Sequence, residues 1–479
     1  LNPDPRSGEL GYAIRRNWTM PPPANEWDPK GAWVPYEPDD KAPWDLRRVV
    51  HLHRRAGFAA TWAELQRDLK DGPDKSIGRL LKGQTRAEVP DNFRTVSEAL
   101  AERAGDAAGL KALWAYRMYW GPDPLGERLT LVWHNHFATS NDKVSDTAAM
   151  RRQNEVLRKH ARAPFGDLLR AVVHDPALLI WLDAPANRKG KPNENLGREL
   201  MELFTLGVGH YTEADVKEAA RALTGWGVKN GGFYERAADH DDGEKTVLDH
   251  KGKWTGDDLV RLLLEQPATS RRLAGRLCEW LMGEKVVDGA GLDALAAGLR
   301  GHHLDIGWAV ETVLRSRAFF AAANLGSRVL GPVEFLVGVP RALECFDPPP
   351  SSLLLGEWAA RLGQDLFYPP NVGGWKGGRE WLTTQAIIGR ANYAAALAEG
   401  RLWARAVPLD GLALARRHER GRDLGDLLTF SAELLTGAPP DAAWHKRVLT
   451  ALGPKAKLDA DSARAGIALM VASPEVQMA

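Results

Sequence analysis

From Trp44 onward, apolar residues recur at helical spacing, and the main interruptions are clusters of glycine, proline and tryptophan. A chain of 479 residues patterned this way is expected to fold as a mainly α, multi-helix orthogonal or bundle body with irregular Gly/Trp-rich loops. Leu46, Val49, Val50 and His53 share one stripe of a first helix that ends at Ala56–Gly57. Leu125, Leu129, Val132, Trp133 and Phe137 share another over residues 123–137. Asn193 caps a helix over residues 194–206, Gly207 ends it, and Thr212 with Asp215 begins the next as a capping box. Residues 230–248 are glycine-rich, charged and aromatic, and are the expected place for a little β-structure. No fixed-period repeat occurs. Three regions follow: an extended Trp/Pro-rich arm over 1–44, a main helical domain over 45–399 and a helical extension over 400–479.

Charge narrows the partners. The 63 basic and 62 acidic residues leave a net charge of +1, which gives no electrostatic reason to expect nucleic acid. No apolar run approaches the roughly 18 residues of a spanning helix. Cys278 and Cys345 lie on separate segments without ligand spacing, so they neither form a disulfide framework nor reveal a compartment. The chain opens on Leu1; removal of an export signal or truncation would each give that start.

Polar constellations interrupt the helical pattern. Asn195, Glu199 and Glu202 lie at i, i+4 and i+7 beside the apolar face of their helix, with Arg198 within ion-pairing reach. Such carboxylates suit either a divalent cation or acid–base work; structural ion pairing explains them equally. His134 and His136 flank Asn135 in the run Trp133–Phe137. They can share one ion only if the helix ends there, and core histidines satisfied by hydrogen bonds are the plain alternative. His240 and Asp241 stand in a dense acidic turn. Asn371, Gly373, Gly374 and Trp375 form a turn in which glycines permit close backbone approach and tryptophan supplies a wall. Walker A, dinucleotide, nucleophile-elbow and HExxH patterns are all absent from the sequence.

The segments WHNHFATS (133–140), DPALLIWLD (175–183), residues 192–226, HDDGEKT (240–246) and FYPPNVGGW (367–375) occur in an order that resembles domain of unknown function family 1800. The resemblance runs from about Leu46 to Glu399. It implies a helical protein, export, and a genetic neighbour resembling sulfatases and alkaline phosphatases; it carries no catalytic residues. Gly197 stands where the family usually has alanine.

The expected function is a metal-assisted hydrolase acting outside the cytoplasm on a polymer such as a glycan, given the 18 tryptophans. The alternative is a non-enzymatic partner or scaffold of an exported sulfatase- or phosphatase-like hydrolase. The expected metal ligands are His134, His136, Glu199 and Glu202. Glu199, Glu202, Asn195, Arg198, His240 and Asp241 are the catalytic candidates. Trp133, Trp226, Trp375 and Asn371 are expected to contact substrate.

Overall fold

The computed structural model describes residues 31–479 apart from Thr85, Ala87, Glu88, Lys285 and Asp288. Among the described residues, twenty-three α-helices run from Leu46–Ala56 to Ala460–Ala472, so the protein is mainly α. The strands are two antiparallel hairpins, Trp226–Lys229 with Gly232–Glu235, and Lys245–Val247 with His250–Gly252. The first turns through Asn230 and Gly231, both at positive φ (53° and 72°), the pair a tight hairpin turn requires. Capping follows the sequence closely. Thr212 and Thr255 form capping boxes with Asp215 and Asp258, and Asp123 accepts from Gly126 N at 2.9 Å ahead of Pro124.

Two large apolar clusters make the core. One gathers Val49, Val50, Trp114, Leu131, Phe335, Tyr393, Leu428 and Ile467. The other gathers Leu52, Ala56, Leu129, Trp133, Phe204, Leu259, Leu277 and Phe319. The helices Leu46–Ala56 and Pro124–His136 contribute to both, and therefore lie between them. Every residue of Pro124–His136 is buried, as is everything from Arg48 to Ala56.

The burial of Leu46–Ala56 departs from its sequence pattern, which places only one stripe indoors. Arg48, His51, His53, Arg54 and Arg55 are all buried. They are accommodated because each reaches a partner. His51 Nε2 donates to Phe319 O at 3.0 Å, and Arg54 donates to Leu435 O and Val476 O at 2.7 and 2.6 Å. Arg55 reaches Asn324 O at 2.9 Å, while His53 pairs with the buried carboxylate of Asp68 at 2.8 Å. The carbonyls lie at chain ends and loops that helical hydrogen bonding leaves open.

Residues 400–479 pack into the first cluster through Leu427, Leu428, Phe430, Leu435, Ile467 and Met470, so their core is continuous with the rest. Over residues 31–44 the arm is docked and carries no α-helix, with a turn at 31–34 and bends at 40–42 where an extended course is expected. Tyr36 N bonds Arg315 O at 2.8 Å, Trp33 Nε1 donates to Gly291 O at 2.8 Å, and Trp44 Nε1 to Asp68 O at 3.0 Å. Tyr36 and Trp44 pack on Phe320. Pro21–Pro23, Trp18 and Trp27, part of the same expectation, lie outside the described residues.

Glu334 joins the buried charges. Its carboxylate contacts Arg128 and Arg328, accepts from Gly331 N at 2.6 Å, and is held down to a pKa of about 2, burial opposing the shift and both guanidiniums driving it. Replacing it by glutamine (Glu334→Gln) leaves two buried cations without a counter-charge. The expected loss is about 3–5 kcal/mol in urea denaturation. A loss below about 1 kcal/mol would show that charge does not hold this pair.

Candidate functional site

The helix Pro267–Leu281, the loop 322–331 and the segment 373–381 surround a cleft of about 1140 Å³. Its buried apolar lining, Val329, Trp375 and Trp381, forms a small cluster apart from the two large ones. Trp280 comes from the helix, and Trp375 and Trp381 from the Gly/Trp segment. Asn135, Glu334 and Gln364, all buried, add an amide, a carboxylate and a second amide. The rest of the charged lining is Arg47, Arg276, Arg328, Lys376 and Arg379 with Glu279, Glu284 and Glu380. The Gln364 Oε1 atom accepts from Val333 N at 3.0 Å, which fixes the amide. The cleft edge is stapled by the chain's last residues: Arg328 and Ala479 exchange backbone hydrogen bonds of 3.1 and 2.7 Å.

The Gly/Trp segment is placed by the run Trp133–Phe137. Asn135 Oδ1 accepts from Trp375 N at 2.6 Å while its Nδ2 donates to Trp375 O at 3.2 Å. One side-chain amide thus imitates a strand partner for one residue. Gly374 must be glycine here, since its φ is +75° and a Cβ would overlap Asn135. His134 Nε2 accepts from Phe367 N at 3.2 Å and packs against Trp114, Phe367 and Trp375. His136 turns the other way, donating from Nε2 to Phe204 O at 3.1 Å among Trp133, Phe137 and Phe165.

This arrangement bears directly on the expected metal half-site. Both histidines lie within the helix Pro124–His136, so their i, i+2 spacing sends them to different environments. Each ring places its Nε2 on a backbone atom. Among the described residues no group of three or more His, Cys, Asp and Glu converges as a metal site would. The sequence-level link between the run 133–137 and the helix at 194–206 is nevertheless real. It passes through the Phe204 carbonyl, which is open because it lies in the last turn of the helix, a π turn over Leu200–Thr205.

The other candidates are distributed around the fold. Glu202 accepts from Tyr211 OH, and Arg198 pairs with Glu194 at 3.0 Å and Glu213 at 2.7 Å. Asn195 Nδ2 donates to Asp183 Oδ2 at 2.9 Å. Glu199 is half-buried, and burial with the nearby Glu202 charge raises its pKa. His240 Nδ1 meets Thr224 O at 3.0 Å, and Asp241 pairs with Arg221 at 2.8 Å, organising the turn between the hairpins. Trp133 donates to Ala161 O at 2.9 Å inside the core, and Trp226 packs on His174 and Phe233. Asn371 Oδ1 accepts from Gly373 N at 2.9 Å as an exposed turn. Of the expected substrate contacts, Trp375 lines the cleft; Trp133, Trp226 and Asn371 are not among its lining residues. Sequence reasoning missed Trp280, Arg276, Arg328, Gln364 and Glu334. The last had a readable signal, a lone carboxylate in the apolar run Gly331–Pro340.

Burial holds His134 neutral, with its pKa pushed down to about 3, and moves His136 the same way. An unfolded imidazole takes up a proton near pH 6.5. Below that pH the unfolded chain binds more protons than the folded one, so stability falls as pH drops, by about 1.4 kcal/mol per pH unit per histidine. The variant His134→Gln retains an acceptor for Phe367 N. Urea melts at pH 7, 6 and 5 should show wild type losing stability faster than the variant on acidification. A gap independent of pH would show that His134 protonates freely in the folded state.

No curated protein and no solved structure matches this chain. The family model described as protein of unknown function (DUF1800) matches residues 51–478, well beyond the limit near Glu399 that the motifs mark, in keeping with the shared core of the C-terminal helices. The chain is a member of the DUF1800 family.

Proposed function

We propose that the protein binds an extended glycan chain in the cleft lined by Trp280, Trp375 and Trp381. The observation that carries this reading is the convergence of three indoles from two segments with Asn135, Gln364 and Glu334 on one cavity. Indole faces pack against the apolar faces of sugar rings, and amides and charged groups meet the hydroxyls. The volume of about 1140 Å³ exceeds that of a drug-sized pocket and suits several linked units. Glu334 is held ionised by its arginines, which fits an anchor and not a proton donor. Binding without turnover would suit a partner of an exported sulfatase- or phosphatase-like hydrolase, the setting that the sequence resemblance implies.

Hydrolysis of the same chain is a second reading, favoured by Glu199. A carboxyl whose pKa is raised beside a second carboxylate, Glu202, is equipped to exchange protons. Glu202 acts electrostatically on Arg272, which in turn neighbours the cleft-lining Arg276.

Calorimetric titration with soluble glycans tests both. Trp280→Ala and Trp375→Ala should each weaken binding by about tenfold or more, equivalent to roughly 1.4 kcal/mol. Loss of melting temperature with unchanged affinity would assign these indoles to packing alone. Release of reducing ends that disappears in Glu199→Gln, with binding retained, would favour the hydrolase; binding with no release in wild type favours the partner.

A further inference from the structure

The arginines behind the cleft floor outnumber their counter-charge. Arg128 and Arg328 contact Glu334 directly, and the same carboxylate acts on Arg54, Arg55 and Arg390. Arg390 donates to Leu330 O at 2.6 Å, and Arg54 and Arg55 also rest on carbonyls. Carbonyls satisfy hydrogen bonds but carry no net charge, so a positive excess remains where water cannot screen it. Burial lowers Arg54 and Arg128 to about 10, which leaves both cationic at neutral pH.

A second observation concerns unused donors at the same end. Arg128 Nη1, Arg328 Nε, Arg276 Nε and Trp280 Nε1 are buried without a protein acceptor. Arg276, Trp280 and Arg328 line the cleft. The Arg128 guanidinium lies over the Trp280 ring at 5.7 Å, and Arg276 sits one helical turn from Trp280 on the same face. Buried N–H groups without acceptors are rare in native proteins, and a ligand oxyanion would satisfy several together. The acidic lining does not cancel this field. Glu279 is engaged by Arg276 at 3.2 Å, while Glu284 and Glu380 are exposed, where solvent and salt screen them.

We infer that the arginine end of the cleft takes an anionic substituent of the glycan chain, a carboxylate or a sulfate ester, seated against Arg276, Arg328 and Trp280. This rests on the glycan reading and adds the charge of its ligand. The selectivity is electrostatic, so it weakens as salt rises.

The test compares dextran, dextran sulfate and polygalacturonate by calorimetry on the full chain, in wild type, Arg276→Gln and Arg276→Lys. Melting temperatures serve as the folding control. At least one charged polymer should bind about tenfold or more tighter than dextran at low salt. Arg276→Gln should lose most of that preference and Arg276→Lys should keep part of it. Binding of sulfate but not uronate, or the reverse, supports the inference and identifies the oxyanion. Equal affinity for charged and neutral polymers overturns it while leaving the glycan reading intact. A preference that survives Arg276→Gln unchanged overturns this placement of the anion. If none of the three polymers binds, the glycan reading itself falls, and this inference with it.

Discussion

The fold turns on buried guanidinium groups that reach backbone carbonyls. Helix Leu46–Ala56 lies between the two core clusters, and Arg48, Arg54 and Arg55 extend from it to Phe320, Leu435, Val476 and Asn324. Those carbonyls come from three remote parts of the chain, the loop at 320–324, the helix end at Leu435 and the turn at Val476. A hydrophobic contact between such elements would be tolerant of sliding, whereas a guanidinium fork fixes direction as well as distance. Arg390 does the same for Leu330 while its other amine bonds the Gln477 side-chain Oε1, and Arg86 does so for Met118, Tyr119 and Gly121. Removing an arginine from this set leaves a buried carbonyl unsatisfied as well as a void, so these positions are stricter than ordinary core positions.

The run Trp133–Phe137 works by the same principle on a smaller scale. His134, Asn135 and His136 are successive residues of one buried helix end, and each bonds the backbone of a remote segment. Their polarity is explained once those partners are known. Asn135 and His134 hold the Gly/Trp segment, and His136 holds the π turn of the helix that carries Glu199 and Glu202. The helix end therefore couples the cleft wall to the carboxylate helix through rigid contacts. His134 and His136 do not line the cleft, so substitutions there act on it only through these contacts.

Much of the local structure was legible in advance. The capping box at Thr212 and the helix end near Phe137 follow from short-range stereochemistry, which a few neighbouring residues decide, whereas the helix expected to start from an Asn193 cap has Glu194 at that place without a side-chain cap. The docked arm was legible too, because Trp33, Tyr36 and Trp44 have no reason to be plentiful in an unpacked segment. The candidate site was legible only in part. Trp375, its glycines and Trp381 lie in the cleft, but Trp280 and Arg328 come from helical or loop stretches whose pattern is indistinguishable from ordinary packing.

What the sequence alone determined, then, is the helical class, the element ends, the family and the segments that would meet. What only the tertiary structure decided is the use of the polar residues in those segments. A histidine pair or an arginine-rich helix has the same composition whether it binds an ion, faces water or satisfies buried carbonyls. The outcome depends on which backbone groups arrive opposite the side chain, and Phe367, Trp375 and Phe204 lie 233, 240 and 68 residues away from His134, Asn135 and His136. No local pattern encodes such a meeting, because it is set by how all the intervening helices pack.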